Sequence, residues 1–371
     1  MRALVIEMSE LIYLFAYDLS KKLDASKIKN IFKGAEDFSS YEHEKTIPEE
    51  IATFNIPTIF NLKATEIAFG STKLAVKREV SIYEIGAFSV RIRVQVPGTN
   101  ASLLEDLTFD QDFNNSIKSM ASDVKQRTEK ALQKATDATT KDTFETYRIY
   151  VIDADKESFY SKNKRLIAGL LLEDKNYANI SESYLRSTIS KRISYYKSEI
   201  AVIDWDATVF VTESKNYEHE LLIAEIANIQ LLEFRAYHDD ISKRIKTVNE
   251  RFSGTVKSNP FKIFGARKNL ARLSLEIGEF YDETKDMVNS ANNIVYGFGE
   301  WYLAKLYSLF SESFKLRDWY NSLSENLEML EKIRGFVEDM VQEETNYLLE
   351  VIIIVLIVVE VAVEFLWLAK P

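Results

Sequence analysis

LLEVIIIVLIVVEVAVEFLWLA, residues 348–369, is the stretch around which the chain is organised. It contains no Gly, no Pro and no positive charge, and six of the seven residues from Val351 to Ile357 are β-branched. As a helix it extends about 33 Å, enough to cross a hydrocarbon core of roughly 30 Å, so a C-terminal transmembrane anchor is expected in preference to a buried core helix. Lys370 and Pro371 follow it, and the chain is expected to be held by this tail. Glu360 and Glu364 stack four apart on one face of the span. A carboxylate in hydrocarbon is costly, so Glu360 is expected to meet a polar partner in another copy, while Glu364 lies nearer water.

Upstream, Trp319, Leu323, Asn326, Leu330, Ile333, Val337, Met340, Glu344, Tyr347 and Val351 recur at alternating spacings of four and three. Such a heptad seam suits helices that wrap around one another, and Asn326 on it is a candidate for fixing register. Two arrangements share this period: parallel self-association, and an antiparallel bundle within one chain. Before the seam the C-terminal half reads as helix over 216–252, 267–295 and 300–315, with Pro260 in one break and Gly297 and Gly299 in another.

The N-terminal half reads as α+β. Strands are expected at 11–17, 64–68, 79–83, 143–152 and, as one element, 199–212. Ala87–Val96, AFSVRIRVQV, alternates apolar and polar residues, as a strand half buried against a helix layer does. Helices are expected at 24–32, 102–135, 162–172 and 181–195. The expected architecture is thus an N-terminal mixed α/β sandwich over 1–215, a long coiled-coil-like helical stalk over 216–347, and a transmembrane helix over 348–369.

The net charge of −10 argues against a general nucleic-acid binder. With no cysteine, disulfides, thiolate catalysis and Cys-ligated metal sites are excluded. Residues 1–19 are apolar but interrupted by Glu7, Glu10 and Asp18, unlike a signal peptide, so the bulk of the chain is expected on the cytoplasmic side. No phosphate-binding glycine loop is present, and His43, His219 and His238 fit no zinc spacing, so no catalytic residue, cofactor or metal is assigned. Asp204 and Asp206 would share one face of a continuous strand. Asn228, Gln230 and Glu233 are polar within an apolar helical stripe and are read as core hydrogen-bonding groups. Arg251, Lys257, Lys262, Arg267, Lys268 and Arg272, interleaved with Phe261 and Phe264, form a basic run with no acid between Glu250 and Glu276. The candidate role for that run is contact with anionic lipid, with a ribosome as the alternative partner.

IYEIGAFSVRIRV (82–94), RLIAGLLLED (165–174), ISYYKSEIAVIDWDATVFV (193–211), LLIAEIANIQLLEFRAYHDDI (221–241) and EETNYLLEVIIIVLIVVEVAVEF (343–365) resemble, in this order, the family required for meiotic nuclear division (RMD/RMND). The resemblance implies an α/β N-terminal part, a helical C-terminal part and one C-terminal anchor. Mitochondrial members of that family support translation of organelle-encoded proteins, although this N-terminus has no Arg-rich transit pattern. The functional expectation is a membrane-tethered, non-enzymatic scaffold that self-associates. The alternative is an oligomeric ion channel or transporter component with an α/β head, which would need its own signature and finds no Gly-Met-Asn here.

Overall fold

Ala87–Pro97 (β5) is hydrogen-bonded on both sides and buried on both faces, which places it near the middle of the molecule's sheet. The computed structural model describes residues 8–24, 27–28, 31–32, 38–41, 57–98, 101–134, 136–214, 216–256, 263–292 and 301–368. Nine strands are described: β1 (Met8–Leu19), β2 (Phe38–Tyr41), β3 (Thr58–Phe69), β4 (Thr72–Tyr83), β5, β6 (Thr140–Ile152), β7 (Arg192–Ile193), β8 (Ile200–Ile203) and β9 (Ala207–Val211). They form one mixed sheet in the order β2-β3-β4-β5-β1-β6-β9-β8-β7, antiparallel throughout except for β6 beside β9. The reversal from β4 to β5 uses Gly86 at φ +105°, where a Cβ would lie 2.7 Å from the Lys21 carbonyl oxygen, so only glycine fits.

Strand alternation sorts the side chains into two layers. Leu11, Tyr13, Phe15 and Tyr17 of β1, with Phe88, Val90, Ile92 and Val94 of β5, belong to one apolar core. Helices α1 (Ala101–Phe109), α2 (Gln111–Gln133) and α4 (Lys164–Leu172) supply Leu104, Leu107, Phe113, Ile117, Val124 and Leu170 to it. A short α3 (Lys156–Phe159) precedes α4, and α5 (Glu182–Thr188) follows. The opposite positions, among them Ser89, Arg91 and Arg93, face α6 (Glu218–Val256), and Tyr147 of β6 packs on Phe310 and Phe314 at and just after α8 (Trp301–Ser313).

Three expected elements divide. The helix over 102–135 breaks at Asp110, whose carboxylate accepts the Phe113 N–H at 2.6 Å and caps α2. The helix over 181–195 stops at Thr188, where Ser187, Thr188 and Ser190 hydroxyls bond to preceding carbonyls and compete with the helix ladder. The single strand over 199–212 is a hairpin, β8 then β9, turning at Asp204–Asp206 with the Asp204 N–H on the Ala207 carbonyl at 2.9 Å.

The chain divides into two compact units: Met1–Ala236 with Ser290–Tyr320, and Tyr237–Asn289 with Asn321–Pro371. The second unit is helical, built from the later part of α6, α7 (Ile263–Asn292) and α9 (Leu316–Leu368). Ser274 Oγ donates to Glu338 at 3.0 Å and Tyr281 OH to Glu331 at 3.5 Å, so α7 and α9 run antiparallel. Leu323, Leu330 and Val337 of the heptad seam are fully buried among helices of the same chain, with Ile277 of α7 equally covered. At Leu323, Leu330 and Val337 the seam is therefore covered within the chain, as in an antiparallel bundle, and the intermolecular coiled coil is unsupported.

Among the described residues no helix is long and apolar enough to cross a membrane. The expected transmembrane helix is thus not part of the established fold.

Candidate functional site

The polar residues of β5 are the origin of the first unit's most unusual feature. A strand reading AFSVRIRVQV would ordinarily give its Ser, Arg and Gln side chains to water. Here α6 lies over them, and Ser89, Arg91 and Arg93 are 0%, 2% and 6% exposed. Burial of a guanidinium demands compensation, and four carboxylates supply it. Arg91 donates to Glu79 at 3.0 Å, to Glu225 in a short contact, and lies 3.7 Å from Glu218. Arg93 donates to Glu10 at 2.8 Å and to Glu218 at 2.7 Å, with its guanidinium 5.8 Å from the centre of the Tyr217 ring. Burial works to lower both arginine pKa values, but the surrounding carboxylates outweigh it and raise them above the ordinary value. The cluster sets two cations against four anions. Its Glu225 Oε1, Arg91 Nε and the nearby Tyr83 hydroxyl make no hydrogen bond among the described residues.

Further along α6, Asn228, Gln230 and Glu233 are all at most 2% exposed. Gln230 accepts a short hydrogen bond from Tyr307 of α8, which ties two helices of this layer together. At the next turn Arg235 donates to Glu145 of β6 at 2.6 Å. Of the three, Gln230 thus serves internal hydrogen bonding, whereas Asn228 Nδ2 and Glu233 Oε1 meet no hydrogen-bond partner among the described residues.

On the other face, between α2 over β4–β5 and α4 over β9, the sheet is open above β1 and β6. A cleft of about 350 Å³ is lined there by Tyr13, Asn114, Lys118, Arg148, Glu173 and Asp206, among others. Tyr13 OH donates to Asn114 Oδ1 at 2.9 Å, Arg148 reaches Tyr150 OH at 3.3 Å and Glu173 at 3.2 Å, and its guanidinium lies 5.0 Å over the Tyr13 ring. Glu173 reaches this position because it closes α4 in the left-handed conformation, at φ 52°. Burial raises the Tyr13 pKa, so its hydroxyl remains a donor and not a base. Burial also raises Asp206, partly offset by Arg148, and raises Asp204, partly offset by the Trp205 N–H. The hairpin separates these two acids: Asp206 lines the cleft, while Asp204 accepts from Trp205 N at 2.9 Å in the turn. The expected shared face is absent because the strand that would create it is interrupted. The cleft offers a guanidinium, a lysine, two carboxylates and an amide, suited to holding a small polar molecule.

Other candidate residues lie in the second unit. Asn326 is half-buried on α9, Glu360 is exposed at the end of the described apolar run, and Arg272 is exposed on α7. Lys257, Phe261 and Lys262 fall outside the described residues, as does His43; so do the side chains of Arg251, Phe264, Arg267, Lys268 and Glu364. Among the described residues no group of three or more His, Asp or Glu side chains is placed to hold a metal ion. The ionic layer was missed by sequence reasoning, although a signal existed. Two arginines two apart in an apolar strand share one face, and Glu225 interrupts an apolar helical stripe.

Residues 8–218 match the family described as the N-terminal domain of the uncharacterized protein MJ0711. The chain is 24% identical over 219 residues to the uncharacterized protein MJ0711 of Methanocaldococcus jannaschii, a match covering 58% of this chain and 65% of that protein. No solved structure matches the chain.

Proposed function

The chain belongs to the MJ0711 N-terminal domain family, and we propose that it is a membrane-tethered, non-enzymatic interaction protein whose α+β unit is held at a bilayer by the end of α9. One observation carries this reading. Ile352–Val359 are eight consecutive apolar residues of one helix, each 45–62% exposed, and so apolar on every side. A helix that is hydrophobic all round suits lipid or the inside of an assembly, whereas a single protein groove would cover one stripe. The sequence beyond them, EVAVEFLWLA, prolongs the same character to Ala369. Glu360 supports self-association, because a carboxylate on such a helix gains most from a partner in a neighbouring copy. The bulk of the chain is placed on the cytoplasmic side, with the basic segment Arg251–Arg272 against anionic lipid headgroups.

The resemblance to the RMD/RMND family belongs to this proposal. It favours an adaptor at the membrane, with a ribosome as one partner to test. The deciding experiment is fractionation of the full chain beside a version ending at Glu350. The full chain is expected in the membrane pellet after alkaline washing, and the shortened one in the supernatant. A full chain that stays monodisperse in buffer without detergent overturns the tether. Light scattering in detergent then reads the assembly, and Glu360→Ala is expected to shift it towards monomer; a monomeric parent removes self-association.

A further inference from the structure

Most buried or half-buried cations of the first unit have a carboxylate beside them: Arg91, Arg93, Lys141, Arg148 and Arg235 all do. Half-buried Lys156 departs from that rule, and two exposed cations, Lys164 and Arg192, stand beside it. Between α3, the start of α4 and the β7–β8 hairpin lies a second cavity, of about 280 Å³, lined by Lys156, Tyr160, Lys164, Arg192 and Ser194 with Ile193 and Ile200. No carboxylate is among its lining residues, and among the described residues none of its three cations forms an ion pair. In a chain of net charge −10, three unneutralised cations around one cavity are a directed arrangement of charge.

The fold holds them in place. The Lys156 N–H donates to the Ser198 carbonyl at 2.8 Å, pinning α3 to the hairpin, and Lys156 Nζ lies 3.5 Å from Ser194 Oγ. Tyr160 is 5% exposed and anchors the floor. Arg192 donates to its hydroxyl at 3.1 Å and to the Ile189 carbonyl at 3.3 Å, while Lys164 Nζ sits 5.8 Å from its ring centre. Because the Tyr160 oxygen accepts from Arg192, its own O–H is directed to donate elsewhere. Lys164 is the first residue of α4, and Asn163 before it gives no side-chain cap. Three cationic groups and a hydroxyl donor, with no competing acceptor charge, are the chemistry that recognises a doubly charged tetrahedral oxyanion. The volume leaves room for a small group attached to it.

We propose that this cavity binds the phosphate of a phosphomonoester, held by Arg192, Lys156 and Lys164 with Tyr160 as a hydroxyl donor. The phosphate has two sources of equal chemistry, a soluble ester or the headgroup of a lipid. The test uses the full chain in neutral detergent, titrated by calorimetry with inorganic phosphate, with glycerol phosphate, and with micelles doped with phosphatidic acid. Saturable binding of inorganic phosphate is expected, competed by sulfate and untouched by chloride at equal ionic strength. Arg192→Gln, Lys156→Gln and Lys164→Gln should each weaken it about tenfold, and the triple variant should abolish it. Lys197→Gln, an exposed cation outside the lining, should leave it unchanged. Tighter binding of glycerol phosphate identifies a soluble ligand; tighter binding of the doped micelles identifies a lipid headgroup. No saturable phosphate binding, or loss that is as large for Lys197→Gln as for Arg192→Gln, overturns the site. Thermal unfolding of each variant without phosphate checks that the fold is intact.

Discussion

The two faces of the sheet use the same alternating strands for opposite purposes. Towards α1, α2 and α4 the strands present Val90, Ile92 and Val94 to an apolar core, and leave a polar cleft over β1 and β6. Towards α6 the same β5 presents Ser89, Arg91 and Arg93 to a buried ionic layer. The lesson is that a polar residue in a strand says which face it occupies, and not that the face is wet. What decides is the next layer: α6 covers the polar face and brings Glu218 and Glu225 with it.

The comparison breaks most visibly at Arg91 and Ile92, adjacent residues on opposite faces. Arg91→Ala strands the buried Glu225 and is expected to lower unfolding stability by about 3–5 kcal/mol, read by denaturant titration of the full chain in detergent. The double variant Arg91→Met with Glu225→Leu should recover most of that loss, since both charges leave together. Recovery of less than half would mean that the layer acts through Glu79 and Glu218 instead. Ile92→Ala, which opens a cavity in the apolar core, is expected to lose about 2–4 kcal/mol with no rescue from any change at Glu225. In the cleft, Tyr13→Phe removes one hydrogen bond to Asn114 and should lower stability by about 1 kcal/mol.

The smallest effect is a pH dependence at Asp206. Burial raises its folded-state pKa above the ordinary 3.8, with Arg148 partly offsetting. Below 3.8 the carboxyl is protonated in both states and desolvation carries no penalty; as pH rises through the folded value, the native state alone bears the cost of a partly desolvated charge. Asp206→Asn should therefore be slightly more stable than the parent at neutral pH, with the gap closing as pH falls towards 3.8. A gap that widens on acidification would show that the ion pair with Arg148 outweighs burial.

Much of the α+β part was legible in the sequence because its signals are local. The strands at 11–17, 64–68, 79–83, 87–96 and 143–152 all lie within observed strands, since β-branched and aromatic runs between Gly, Pro and polar breaks need no tertiary information. The hairpin at Asp204–Asp206 was lost because IDWDA offers no glycine to mark the turn; it is fixed by the Asp204 backbone and side chain. Heptad spacing on α9 reports a helix with a buried seam but is blind to whose surface buries it, and α7 of the same chain lies antiparallel beside that helix. Neither the cleft nor the basic cavity is legible, because each gathers residues from distant segments: Tyr13 with Asn114 and Arg148, Lys156 with Arg192.

The place of β1 in the sheet has a consequence for how the molecule forms. Although β1 is the first described strand, it sits between β5 and β6, with Leu14 opposite both Arg91 and Tyr147. Its partners lie some distance along the chain, so its closure spends loop entropy before the sheet gives anything back, a topology associated with slow folding. During synthesis the hairpin of β4 and β5 can close as soon as it emerges, whereas β1 must wait with one edge bare until β6 has left the ribosome. The N-terminal strand is the keystone, set last on its second side.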